Sequence, residues 1–153
     1  MRIISGNLKG KTIQYISSRN TRPLKDSVRE NIFNILNHSN LISTRVKGSN
    51  ILDLYSGIGS FGLECISRDA KNVTFVEENY KAVEMLKKNL LNLSISKKAK
   101  VINDKIENII NQKFEKKFNI LFFDPPFNDK KYLDNLRILK EKKIFKNEHL
   151  III

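Results

Sequence analysis

Four short stretches of this sequence combine acidic, glycine and proline residues in arrangements suited to chemistry on the amino group of a planar base. The most specific is Asp124-Pro125-Pro126-Phe127, directly after the apolar run Ile120-Leu121-Phe122-Phe123. An exocyclic amino group on an aromatic base is a poor nucleophile because its lone pair is delocalised into the ring. A side-chain oxygen of Asp124 and the carbonyl of Pro125, each accepting one N–H, would favour the pyramidal nitrogen whose lone pair can attack. Pro125 and Pro126 preform that pair of acceptors and bring no backbone donor of their own. Phe127 offers a flat face on which an unpaired or extruded base can stack. The blander reading is a rigid loop after a strand; an acid immediately before and an aromatic immediately after the prolines weigh against it.

The other three stretches suit a nucleoside. Asp53-Leu54-Tyr55-Ser56-Gly57-Ile58-Gly59-Ser60-Phe61-Gly62 opens with an acid and continues into glycines, which turn tightly and let a ligand approach the backbone. Glu77 closes Val73-Thr74-Phe75-Val76, where a carboxylate can accept both hydroxyls of a ribose, and Asp104 follows Val101-Ile102. Taken literally, Gly57 to Gly62 also matches the dinucleotide fingerprint G-x-G-x-x-G, with an acid downstream at the expected distance. A nicotinamide-dependent oxidoreductase therefore stands as a rival. Against it, Asp53 would repel a pyrophosphate, whereas a sulfonium cofactor carries a cationic amine and no phosphate.

These residues need elements to carry them. Apolar runs at 51–54, 73–76, 101–102, 120–123 and 150–153 alternate with helical stretches, the pattern of a parallel α/β sheet. Ligands of such sheets sit beyond the carboxyl ends of the strands, where all four stretches fall. The clearest helix spans residues 79–92, with Ala82, Val83, Leu86 and Leu90 on one face. Ser27 and Glu30 have capping-box spacing, which predicts a helix starting at Ser27 with Val28, Ile32, Ile35 and Leu36 as its buried face and His38 near its end. Ahead of it, Ile3-Ile4, a glycine-bounded turn and residues 12–16 read as a β-hairpin.

The chain holds 28 basic and 16 acidic side chains, net +12, which suits a polyanion. Lys, Asn and Ile are also abundant, so compositional drift offers a second source of lysines. The distribution favours nucleic acid: residues 1–30 hold Arg2, Lys9, Lys11, Arg19, Arg22, Lys25 and Arg29 against only Asp26 and Glu30. Cys65, the one cysteine, allows neither an intrachain disulfide nor a cysteine metal cluster and reads as a small buried helix residue. His149 and Lys113 to Lys117 read as surface features. No apolar run approaches the roughly 20 residues of a membrane span, and the N-terminus lacks a secretory signal, so the cytoplasm is expected. One domain of 153 residues is expected, with a basic hairpin arm over 1–25 and a Rossmann-like core over 26–153.

Asp53 to Glu64, Glu77, Asp104 and Asp124 to Phe127 resemble the motifs of class I S-adenosylmethionine-dependent amino-group methyltransferases. Arg2-Ile3-Ile4-Ser5-Gly6, Thr21-Arg22-Pro23, Val28-Arg29-Glu30-Asn31-Ile32-Phe33 and Ser67-Arg68-Asp69-Ala70 narrow the resemblance to the RsmD family, which methylates guanine N2 in 16S ribosomal RNA. The resemblance runs from residue 2 to the end. It implies a cofactor site in which Asp53, Ser56, Gly57 and Gly59 line the methionine end of S-adenosylmethionine, Glu77 holds the ribose and Asp104 the adenine amine. It implies that Asp124, Pro125, Pro126 and Phe127 form the catalytic motif, and that Arg2, Lys9, Lys11, Arg22 and Arg29 hold 16S rRNA or the assembling small subunit. No metal is required, and a monomer is expected. Leu24-Lys25 and Ser27 depart from the family's hydroxyl and arginine pattern, and the family continues past Ile153, so its last strands are expected to be missing here. The alternatives are an inactive RNA-binding remnant and an adenine-N6 methyltransferase of DNA or RNA.

Overall fold

The computed structural model describes residues 1–15, 24–126 and 129–153. Five strands, β1 (Asn50–Leu54), β2 (Asn72–Glu77), β3 (Ala99–Asn103), β4 (Phe118–Phe123) and β5 (Phe145–Ile152), form one parallel sheet in the order β3-β2-β1-β4-β5. The order reverses direction at β1, whose neighbours are β2 and β4. That is the switch point at which the connections diverge and a crevice opens beyond the strand ends.

Side chains alternate across the strands and build two apolar layers. Ile51, Val73, Phe75, Ile120 and Phe122 face α1 (Asp26–His38), α2 (Ser60–Ser67) and α3 (Tyr80–Asn92). Leu52, Leu54, Val76, Leu121 and Phe123 face α4 (Ile106–Ile110) and α5 (Tyr132–Glu141). Phe61 stacks on Phe33 and on Phe122 at centroid distances of 5.3 and 4.0 Å, tying α1 through α2 to β4. α3 begins where expected, with the Asn79 side chain accepting from Ala82 N.

α1 differs from expectation in two ways. It starts at Asp26 with Lys25 as N-cap and no side-chain cap, so Ser27 and Glu30 form no capping box. Asp26 occupies the first turn instead and pairs with Arg29 at 2.9 Å. The buried face is Arg29, Phe33 and Leu36, while Val28 and Ile35 are exposed. One charged residue turned inward rotates the whole stripe, which hydrophobic periodicity alone does not foresee.

Among the described residues the N-terminal hairpin pairs through the bridge of Arg2 with Thr12 and through Ile3 N to Lys11 O, Gly10 N to Ile3 O and Ile13 N to Met1 O. Ile3 and Ile13 are fully buried in the same cluster as Phe33 and Leu86, so the hairpin is packed into the core rather than projecting as an arm.

Candidate active site

Strand register fixes which residues meet. Leu54 pairs with Val76 on one side and with Phe123 on the other, so the chain leaves β2, β1 and β4 at Glu77, Tyr55 and Asp124 side by side. Neighbouring strands lie about 4.8 Å apart. Three of the four predicted stretches thus converge at one edge, and Asp104 follows β3 in the adjoining position, where Glu77 pairs with Asn103.

The turn after β1 takes the left-handed region at Tyr55, Gly57 and Gly59, with φ of 56°, 55° and 81°. The glycines serve different purposes. A Cβ at Gly57 would meet nothing within 4 Å, so the chain there faces open space available to a ligand. A Cβ at Gly59 would stand 2.5 Å from Leu86 Cδ1, and one at Gly62 would stand 2.2 Å from Phe75 Cε1. Gly59 and Gly62 are therefore small so that α2 can close on β2 and α3.

Glu77 holds this turn. Its Oε2 accepts Gly57 N at 2.8 Å and its Oε1 accepts Asn79 N at 2.8 Å, and each oxygen keeps capacity to accept a further hydrogen bond. Asp104 Oδ1 accepts Lys105 N and Asn108 Nδ2, both at 2.7 Å. Ser56 Oγ is buried and, among the described residues, has no hydrogen-bond partner.

Asp53 lies beneath the turn, 1% exposed, with Oδ2 accepting Gly62 N at 3.0 Å. Burial pushes its carboxyl up to about 8; the Gly62 hydrogen bond opposes this, and the charges of Asp124 and Glu77 reinforce it. Gly62 N, in the first turn of α2, is thus already bonded to an acid side chain of the protein, which occupies a donor that the pyrophosphate of a dinucleotide would need.

Asp124 is exposed at the end of β4, and partial burial raises its carboxyl above the usual carboxylate range. Pro126 O accepts Asp129 N at 2.8 Å. Among the described residues neither the Asp124 carboxylate nor the Pro125 carbonyl accepts a hydrogen bond from the protein. Phe127 lies outside the described residues.

The basic residues divide. Arg2, Lys9 and Lys11 are exposed on the hairpin; Arg22 lies outside the described residues. Arg29 is fully buried, so its expected RNA contact is corrected: Nη2 donates to Arg2 O at 2.7 Å and to Asp26, and Nε sits 3.8 Å from Glu64 Oε2. Its partner Glu64 is a buried structural acid whose role sequence reasoning missed. Glu64 is fully buried on α2 and accepts Ile4 N and Ser5 N, both at 2.9 Å, and Arg68 Nε at 3.1 Å. The available signal was an acid flanked by Leu63, Cys65 and Ile66 in a helix buried on every side.

Cys65 is buried, as expected, and burial pushes its thiol up. A cavity of about 230 Å³ at the opposite, amino-terminal end of the sheet is lined in part by Lys97, Lys98, Lys100, Lys113 and Lys116. It contains none of the acids described above and lies a strand's length from them. Among the described residues no group of His, Cys, Asp and Glu could hold a metal ion, and no helix is long and apolar enough to cross a membrane.

The donor set fits an adenosyl sulfonium ligand. Ser56 Oγ is an orphaned polar atom, Gly57 opens onto free space, and Glu77 has acceptor capacity for a ribose.

A family model described as conserved hypothetical protein 95 matches residues 1–153. The ribosomal RNA small subunit methyltransferase D of Buchnera aphidicola subsp. Baizongia pistaciae is 34% identical, the match covering 100% of this chain and 74% of that relative. The solved structure of yhhF from Escherichia coli has a TM-score of 0.84 at 30% identity, covering 99% of this chain and 77% of that one. A SAM-dependent methyltransferase from Thiobacillus denitrificans, solved with S-adenosyl-L-homocysteine, has a TM-score of 0.66 at 14% identity over 88% of this chain and 50% of its own, a likeness of fold alone.

Proposed function

The chain belongs to the RsmD family, whose model carries the description conserved hypothetical protein 95, and from that premise we propose that it methylates guanine N2 of 16S ribosomal RNA in the small ribosomal subunit. The coarser part of this reading follows from membership: a class I methyltransferase fold, S-adenosylmethionine as cofactor and ribosomal RNA as substrate, in line with its relatives. The cytoplasm, where ribosomes are built, and a single copy of the chain complete the proposal.

One observation supports an exocyclic amino group as the target, and the choice of guanine N2 rests on the family resemblance. Two acceptors with no donor among the described residues, the Asp124 carboxylate and the Pro125 carbonyl, leave β4 beside the turn that would hold the cofactor. They match the two N–H groups of one amino nitrogen, and accepting both withdraws its lone pair from the ring. Asp124 orients the amine and tolerates its developing positive charge; Pro125 fixes the second hydrogen. The bond from Asp129 N holds the Pro126 carbonyl in place within the segment. When bound, S-adenosylmethionine supplies a methyl group on a cationic sulfur. Ser56, Gly57 and Glu77 would hold it, Glu77 through the ribose, and Asp104 would take the adenine amine. Holding both reactants in fixed orientation supplies much of the acceleration. Arg2, Lys9 and Lys11 are the hairpin groups that would meet phosphates.

The test is methyl transfer from labelled S-adenosylmethionine to small-subunit particles and to naked 16S rRNA, followed by nucleoside mapping. N2-methylguanosine is expected. N6-methyladenosine in its place would overturn the choice of base.

A further inference from the structure

The cofactor turn and the proline segment leave adjacent strands, and one side chain joins them. We infer that Tyr55 is a positioning residue that holds the Asp124-Pro125-Pro126 segment against the cofactor turn by donating its phenol hydrogen to Asp129. The inference rests on the reading of the site given above and adds to it a device that sets where the target amine sits relative to the cofactor.

Three elements meet at this phenol. Tyr55 is the first residue after β1, its hydroxyl bonds Asp129 Oδ2, and its ring meets Phe123 edge-on at 5.4 Å, one residue before Asp124. Asp129 is held in turn: its N–H donates to Pro126 O at 2.8 Å and its Oδ1 accepts Lys131 N at 2.8 Å, just ahead of α5. From α5, Asn135 is buried to 3% exposure and lies by the same phenol, with its Nδ2 unpartnered among the described residues.

The backbone of Tyr55 lies in the left-handed region at φ 56°, which disfavours any residue bearing a Cβ. Such a conformation persists where surrounding contacts over-determine it. Glycine would be relaxed there but would supply neither the ring on Phe123 nor the hydroxyl on Asp129. Burial and the Asp129 carboxylate raise the phenol above the usual tyrosine range, so it remains a donor at any working pH. The latch thus reaches the Pro126 carbonyl through two hydrogen bonds, without touching the acceptors at Asp124 and Pro125.

Four variants test it: Tyr55→Phe, Asp129→Ala, Asp129→Asn and the double variant Tyr55→Phe/Asp129→Ala. Two readouts are taken, amide hydrogen exchange of the ligand-free protein and kcat, KM and S-adenosylmethionine affinity with small-subunit particles. In Tyr55→Phe the Asp129 and Lys131 amides should exchange about tenfold faster, the scale of one lost hydrogen bond to a charged group. Its kcat should fall by about tenfold with cofactor affinity within about twofold, as expected of lost orientation. Asn at 129 can accept from Lys131 N and donate to the phenol oxygen, so Asp129→Asn should stay within about threefold of the parent. The double variant should be no worse than Asp129→Ala, which already loses both the phenol and the Lys131 bond. Unchanged exchange in Tyr55→Phe, or losses that multiply in the double variant, would overturn the latch. If the parent protein methylates no ribosomal RNA, the functional reading fails, and the exchange measurement still decides the latch.

Discussion

Asp53 and Glu64 are both buried carboxylates on the same side of the sheet, eleven positions apart, and they are treated in opposite ways. Glu64 is answered by two backbone N–H groups and two guanidinium groups, which bind the hairpin, α1 and α2 into one body. Asp53 receives one N–H, from Gly62, and the charges that act on it are the like charges of Asp124 and Glu77. A buried charge is tolerated when fully paired and is costly when not. The paired acid is architecture, and the under-paired one marks the place where the protein expects something else. The same contrast separates Arg29, whose Nη2 donates twice inside the protein, from Asp124, whose carboxylate accepts no hydrogen bond among the described residues.

Cutting the paired acid should have the largest effect. Glu64→Ala leaves Arg29 buried beside a hole and should cost about 3–5 kcal/mol of stability, the usual result of removing one partner of a buried pair. In a chain of this length that lowers Tm by on the order of 10 °C. A loss under about 1 kcal/mol in urea titration would erase the distinction between the two acids.

Asp53→Asn should act in the reverse sense and depend on pH. The folded carboxyl titrates near 8 and the unfolded one near 3.8, so across that interval the folded chain keeps a proton that the unfolded chain has released. Stability therefore falls as pH rises from about 4 to about 8, by at most about 1.4 kcal/mol per pH unit. The asparagine variant should lack that slope and melt higher than the parent at pH 8. Parallel Tm curves for the two proteins between pH 5 and pH 8.5 would contradict the account of Asp53.

The smallest effect concerns the exposed charges. Replacing Arg2, Lys9 and Lys11 together by Gln should reduce the slope of log affinity against log salt for ribosomal RNA by about 2, since each phosphate contact contributes about 0.7–0.9. Tm should be unchanged. An unaltered slope would remove the hairpin from the RNA interface.

Much of this was legible in the sequence. The five apolar runs predict the strands because a parallel sheet covered on both faces needs continuous apolar segments. Each run followed by an acid places Glu77, Asp104 and Asp124 at strand ends. Periodicity failed at α1, because a pairing 35 residues away, between Arg29 and Glu64, decides which face turns inward. It failed again at the hairpin, whose anchoring to Glu64, Ser67 and Asn89 is made by backbone groups that carry no residue signature. Asp53 was legible as an acid of the site, but its burial beneath the turn follows from strand alternation and the closeness of α2, which composition cannot report.

The central claim is that Asp124, with the Pro125 carbonyl, prepares an amino nitrogen of ribosomal RNA for methylation. Its most direct test compares the parent protein with Asp124→Ala, measuring labelled methyl transfer to small-subunit particles alongside S-adenosylmethionine affinity. The account predicts that transfer falls on the order of 10²–10³-fold while cofactor affinity stays within about twofold. Equal turnover in the two proteins would contradict it.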